Sequence, residues 1–343
     1  MGEIHAGVAV GRSVSRSVAD LLAAGARREP MSHTDSKSGA QFESVEMEGR
    51  SYVLKHYDLA DDWTMRAVGD VGCATLRLWS TGLLDQLPEC IRQPIVAVSS
   101  DPQFWPPGRA TSILMEDVGA FLVPPGDDPI PLAQHLEFID HMAALHARFW
   151  EAGPEIDLIP PENRFLELSP WLAIAEAELG SDHLVPRLVG EGWKLLETVA
   201  PELAAIVLPL AWDPNPLVAA LTSTPSTLVH GNWKLGNLGT DEEGRTILID
   251  WENPGRGWGC AELGWYLAIN AARLPCSRED TIGSYRESLT TRGIDTDPWW
   301  DRQIALGLLG GIVWFGWEKA FGGWGEELAW WAERAAEAVS YLP

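Results

Sequence analysis

The sequence predicts an α+β chain of two unequal lobes, a small mixed α/β lobe followed by a larger, mainly helical one. Three observations carry this. The 343 residues are enough for two compact cores. Short runs of strand character crowd residues 32–119, and beyond the Pro- and Asp-rich segment 123–131 helical periodicity takes over. The border falls near Ala120, giving lobes of 1–119 and 120–343.

In chain order, residues 1–30 hold one weakly amphipathic helix over 18–28. Runs 41–47 and 51–56 read as strands, and Glu48-Gly49 between them as a tight hairpin turn. A helical stretch over 62–80 precedes strands at 95–99 and 111–116. The clearest helix is 132–150, with Leu136, Ile139, Met142, Ala143, Leu145 and Phe149 on one face. His135, His141 and His146 share it, but their spacings put neighbours on different faces, so they read as unrelated side chains. A helical region over 184–207 leads to a Pro-rich linker. Strands return at 227–229 and 246–249, and helices complete the chain.

Composition narrows the function. Hydrophobic residues make up 46% and charged residues 22%, a globular rather than a disordered balance. A net charge of −24 argues against a nucleic-acid backbone or an anionic membrane surface as the main partner, and is compatible with a cationic ligand. The longest uncharged apolar run, 304–317, has 14 residues, short of the roughly 18 that span a bilayer, so it reads as a buried helix. No secretory signal is visible: the apolar stretch 19–26 is brief and interrupted by Asp20. Cys73, Cys90, Cys260 and Cys276 form no CxxC pair and read as reduced thiols of a cytoplasmic protein. Of 18 Trp, 12 lie from Trp212 onward; they read mainly as packing anchors, with one or two lining a pocket.

The chemistry concentrates in 228–251, LVHGNWKLGNLGTDEEGRTILIDW. An apolar strand leads to His230-Gly231-Asn232; Asn237 follows five residues later, and a hairpin returns a second strand that ends at Asp250. Such a loop and strand end can aim an amide oxygen and a carboxylate at one point. Hard oxygen ligands of this kind suit Mg2+ that keeps waters and binds phosphates.

These residues resemble the aminoglycoside phosphotransferase and choline kinase branch of the bilobal protein-kinase-like fold. That family's loop reads His-Gly-Asp-x-x-x-x-Asn, followed by a strand delivering Ile-Asp-Trp/Phe-Glu; here stand HGNWKLGN and IDWE. ELGWYLA at 262–268 is similar to the next helix of the family, whose acid, Glu262 here, would brace the catalytic loop. HMAALHARFW at 141–150 is similar to an early helix of the large lobe. ILMEDVG at 113–119 looks like the strand entering the hinge, where main-chain groups around Met115, Glu116 and Val118 would meet an adenine.

The resemblance implies a small-molecule kinase using ATP and Mg2+. Asn237 and Asp250 would hold the metal, and Lys55 the nucleotide phosphates. Asp70 is the candidate partner of Lys55, because its helix carries no Glu. The turn 35–40, with Ser36, Ser38 and Gly39, would cover the phosphates.

Asn232 departs from the family, which has an acid there. Its amide cannot act as a base near neutral pH, and a general base contributes roughly 10²–10⁴ in rate. Phosphoryl transfer depends chiefly on positioning and charge neutralisation, so nucleotide and metal binding with poor turnover is the expectation. Asn232 is then an introduced substitution, a natural feature of a slow kinase with another base, or the mark of a pseudokinase or scaffold without turnover. A protein kinase fits less well: the loop reads HGN, without the arginine that protein kinases use to read activation-loop phosphate, and no DFG–APE segment follows. The acceptor should be a small hydroxyl compound. Trp251, Trp258 and Trp265 with the acidic charge suit a cationic ring such as an amino sugar or aminocyclitol. Oligomeric state is not legible.

Overall fold

The computed structural model describes residues 11–31, 38–151 and 158–343. The expected α+β division is present. In the small lobe an antiparallel sheet runs in the order β1-β2-β3-β6-β5. Its strands are β1 (Arg27–Met31), β2 (Gln41–Met47), β3 (Arg50–Tyr57), β5 (Ile95–Ser100) and β6 (Thr111–Glu116). Helices α1 (Trp63–Val68) and α2 (Ala74–Ser80) follow β3, and β4 (Ile91–Arg92) precedes β5.

Local chemistry explains these elements. Glu48 and Gly49 both have positive φ, 52° and 75°, the geometry of a two-residue hairpin matched to strand twist. Val45, Leu54 and Leu114 alternate onto one buried face. The helix expected over 18–28 is not formed. Val18–Leu21 is a single 3-10 turn whose Val18 and Leu21 pack on that face, and β1 begins at Arg27. Strand β1 escapes a periodicity reading because it is an exposed edge of charge and proline, RREPM, tied to β2 by Arg27–Glu46 and Arg28–Glu43 pairs. The single helix expected over 62–80 is two: Gly69, in the left-handed region at φ 67°, ends α1, and Asp70 accepts from the Ala74 N–H to begin α2.

The large lobe opens with α3 (Leu132–Arg148), then α4 (Pro161–Phe165), α5 (Pro170–Glu178), α6 (Leu184–Val199), α7 (Pro201–Trp212) and α8 (Asn215–Leu221). The expected face of α3 is buried except Leu136, which is exposed. Pro201 divides the stretch 184–207, since it ends one helix and opens the next. Next come β7 (Thr227–Val229), β8 (Leu238–Thr240), β9 (Thr246–Leu248) and β10 (Gly255–Gly257). Finally come α9 (Gly259–Ile269), α10 (Arg278–Thr291), α11 (Trp300–Ala320) and α12 (Glu326–Ala338). Strand β7 pairs with β10, and β9 lies between β8 and β4. The apolar run 304–317 is the buried length of α11. Among the described residues no single helix is long and apolar enough to cross a membrane.

The lobes are tied at several points. Strand β4, from the small-lobe sequence, pairs in parallel with β9. Thr75 Oγ1 donates to the Trp251 carbonyl at 2.6 Å, and Arg66 of α1 makes a two-pronged ion pair with Glu176 of α5.

Candidate active site

Strand β7 is short and wholly buried, so the chain must leave it through a polar loop, 230–237, that satisfies its own backbone. Gly231 makes this possible. Its φ is 79°, and a Cβ there would collide with the Asn253 carbonyl. Glu262, in the first turn of α9, accepts from the Gly231 N–H at 2.6 Å and the His230 N–H at 3.2 Å. This is the bracing role expected for it. Burial would raise the Glu262 carboxyl, but hydrogen bonds from His146 and Gly231 and the neighbouring imidazoles hold it below its ordinary value.

His146 is thereby part of the site, contrary to its reading as an unrelated side chain. Its Nε2 donates to Glu262 at 2.8 Å, and its Nδ1 meets the Tyr285 hydroxyl at 2.6 Å. His135 does have separate partners, Tyr266 and Thr281. His230 is buried, which lowers it to about 4; Nδ1 accepts from the Asn232 N–H and Nε2 faces the Ile249 carbonyl, so the neutral ring carries its proton on Nε2. Asn270 clamps the far end of the loop, accepting from the Leu235 N–H.

Four of the anticipated residues converge. Lys55 Nζ lies 2.7 Å from Asp250 Oδ1 and also bonds Glu252. Asn232 Nδ2 donates to Asp250 Oδ2 at 3.3 Å, and Asn237 Nδ2 donates to the Asn232 carbonyl at 3.0 Å. Asp250 sits at φ 68°, an uncommon conformation for a non-glycine residue, which turns its carboxylate out of the strand line. Burial alone would push the Lys55 amine down, but Asp250 and Glu252 hold it well above its ordinary value. Burial would likewise raise Asp250; Lys55 and Lys234 overcome it and keep the carboxylate ionised. Glu252 is pushed up by burial and by the charge of Asp250. One lysine thus serves two acids, and Asp250 keeps the charge.

Asp70 is not the partner of Lys55. Its carboxylate caps α2, and burial raises it to about 6. Ser36 lies outside the described residues. Ser38 and Gly39 pack at the start of α1, where the Ser38 carbonyl accepts from the Trp63 N–H; neither bonds Lys55 or Asp250 among the described residues. At the end of β6, Met115 is buried, the Glu116 carboxylate pairs with Arg92, and the Glu116 N–H donates to the Pro94 carbonyl. No protein acceptor for the Val118 N–H is found among the described residues. Trp251, Trp258 and Trp265 do not wall an acceptor pocket. All three are buried in the core, and Trp258 and Trp265 line a cavity of about 20 Å³, room for one water.

The donor set fits the expected metal. Asn237 has its amide nitrogen pinned to the Asn232 carbonyl, which turns Oδ1 away from it, and Asp250 offers an ionised carboxylate. One carboxylate and one amide oxygen suit an ion that retains waters and phosphate ligands. Three residues of the site had no signal in the sequence. Glu167, between α4 and α5, accepts from Asn253 Nδ2 at 2.8 Å. Lys234, half-buried in the loop, acts electrostatically on both Asp250 and Glu167. None of Glu167, Lys234 or Asn253 belongs to a spacing that could have marked it.

No family model and no curated protein matches this chain. Among solved structures it is similar to the aminoglycoside phosphotransferase APH(4)-Ia, at 15% identity over 92% of this chain and 93% of that one, TM-score 0.46. It is similar to a microcompartment-associated aminopropanol kinase at 15% identity, over 93% and 90% of the two chains, TM-score 0.47. Choline kinase LicA from Streptococcus pneumoniae matches at 13% identity, over 92% and 93%, TM-score 0.47. At such identities and scores these likenesses say nothing of what this chain binds, which rests on its own site.

Proposed function

We propose that this chain is an ATP- and Mg2+-dependent phosphotransferase acting on a hydroxyl of a small polar molecule, slowed by Asn232. The observation that supports this best is the meeting of Lys55, Asn232, Asn237 and Asp250, drawn from β3, the 230–237 loop and the end of β9. Asn237 and Asp250 would hold Mg2+, which when bound neutralises phosphate charge. Lys55, which pairs with Asp250 and Glu252, would hold the nucleotide phosphates. The Asn232 side-chain oxygen accepts a hydrogen bond from the acceptor hydroxyl and orients it, but takes no proton. Lys234 offers a second cation beside the transferring group. The Val118 N–H, which has no protein acceptor among the described residues, suits an adenine edge at the hinge.

With Trp251, Trp258 and Trp265 in the core, the acceptor reading rests on charge alone. Amino sugars and aminocyclitols remain the first compounds to screen, with neutral sugars as controls. The central test is ATP turnover with Mg2+ for the chain as it stands beside Asn232→Asp. The aspartate should raise turnover by about 10²-fold with little change in nucleotide affinity. Equal rates for both, with nucleotide bound, would remove the lost-base account. A chain that binds no nucleotide in a Mg·ATP titration would be the scaffold instead.

A further inference from the structure

We propose that the outer face of the small-lobe sheet carries a binding site, separate from the candidate active site, for a small organic polycation of the polyamine class. The inference goes beyond the phosphotransferase reading and does not depend on it.

Strand alternation builds the site. Opposite residues of neighbouring strands share a face, and Gln41, His56, Ser112 and Ser99 form one row across β2, β3, β6 and β5. Lys55, next to His56 in the chain, points to the other face and meets Asp250 there. The row therefore backs onto the strand that carries Lys55, on the side away from the cleft. Further along the same face, Leu54 and Leu114 are packed by Val18 and Leu21 of the 3-10 turn. Beside them the row lines a cavity of about 330 Å³, walled by Ser17 and Val18 of that turn. This is within the size range of small-molecule sites.

The wall presents mostly hydrogen-bond acceptors. His56 has both ring nitrogens engaged, Nδ1 with Ser112 Oγ and Nε2 with Glu43 Oε1, each at 2.9 Å. With Nε2 donating to the carboxylate, the neutral ring takes the Ser112 hydroxyl proton at Nδ1 and leaves the Ser112 oxygen able to accept. Ser99 is 2% exposed, and its hydroxyl has no hydrogen-bond partner among the described residues. A buried hydroxyl without a partner is costly, and on this face a ligand in the cavity would supply one. Asp58, Asp61 and Asp101 also line the cavity. Asp58 and Asp101 each commit Oδ1 to a backbone N–H, of Ala60 and Gln103, while neither Oδ2 has a protein donor among the described residues. No Lys or Arg belongs to the described lining.

Carboxylates and hydroxyl oxygens together call for a cation that donates several hydrogen bonds. A metal ion is the wrong cation, because among the described residues no three or more His, Cys, Asp or Glu side chains converge to hold one. Carboxylates set apart from one another match ammonium groups set apart along a flexible chain. Each ammonium carries N–H donors for the carboxylate and hydroxyl oxygens, in charge-assisted bonds.

Spermidine is the probe, titrated by calorimetry in about 0.15 M salt, where diffuse attraction to a chain of net charge −24 is screened beyond about 8 Å. The natural chain should bind a single spermidine. Asp58→Asn/Asp101→Asn should bind it about tenfold more weakly and Ser99→Ala several-fold more weakly, through the loss of charge-assisted bonds. Asp127→Asn/Asp128→Asn removes the same charge from an exposed stretch elsewhere and should bind as the natural chain does. Octanediol, of similar length and uncharged, should not bind. Melting curves without ligand show whether each variant is folded. Equal weakening in the two double variants would mean that spermidine reads only the bulk charge, and overturns the proposal. Unchanged affinity in Ser99→Ala overturns it too, as does octanediol binding as tightly as spermidine. Should Asp58→Asn/Asp101→Asn fail to fold, Ser99→Ala and octanediol decide alone. No ATP enters these titrations, so their failure leaves the phosphotransferase reading untouched.

Discussion

Lys55 shows how much a single side chain holds. It is 4% exposed, and it faces Asp250, Glu252 and the rings of Phe42 and Tyr57. Removing this cation leaves the buried Glu252 carboxylate against the half-buried Asp250, and breaking a buried ion pair of this kind costs about 3 kcal/mol. Lys55→Met should therefore melt several degrees lower than the natural chain, and it should lose Mg·ATP affinity in a fluorescence titration. A variant that melts normally would show that this ion cluster contributes nothing to joining the lobes. The sequence pointed to Lys55 through a charged residue in an apolar strand. It could not choose the partner. Asp70 was the only acid at hand on the next helix, but its carboxylate is taken by the backbone of α2. The acid that serves, Glu252, comes from 197 residues away.

At the scale of elements, the site depends on how α9 meets α11. Gly264 of α9 lies on the carbonyl of Gly307, Gly307 lies on that of Cys260, and Gly311 approaches the Gly264 carbonyl so that a Cβ would be 2.7 Å away. The two backbones touch where a side chain would otherwise separate them. Because α9 carries Glu262, this packing sets the height of the 230–237 loop. Gly264→Val should wedge the helices apart and destabilise the fold by about 1–3 kcal/mol. Turnover should fall further than nucleotide affinity, since Lys55 and Asp250 are not on α9. A variant with lowered melting temperature but unchanged turnover would detach Glu262 from the catalytic geometry. The apolar run 304–317 was legible as a buried helix, and the strands 41–47 and 111–116 were placed to the residue. The glycine pattern of α11 carried no meaning until its partner helix was known.

Across the whole molecule, a net charge of −24 surrounds a site that, on the proposed function, would receive an anion. Local cations, Lys55 beside Asp250 and Lys234 in the loop, act at short range, whereas the surface acids act over a Debye length, about 10 Å at 0.1 M salt. Association of Mg·ATP should therefore quicken several-fold between about 0.02 M and about 0.2 M salt, the reverse of the usual electrostatic steering. Stopped-flow tryptophan fluorescence would read this. A rate that falls with salt would mean that the cleft's own field outweighs the surface.

The sequence by itself determined the two-lobed α+β plan, most strands, the loop that starts at His230 and carries Asn232 and Asn237, and the strand that ends at Asp250. These are local matters, set by period, turn chemistry and spacing along the chain. Which charges meet was decided only by the tertiary structure. It gave Lys55 to Asp250 and Glu252, His146 to Glu262, and Glu167 to Asn253, and it put Trp251, Trp258 and Trp265 in the core rather than around a ligand. The physical reason is that a buried charge takes whichever partner burial leaves within reach. Reach is fixed by how helices and sheets pack, and sequence separation does not record it.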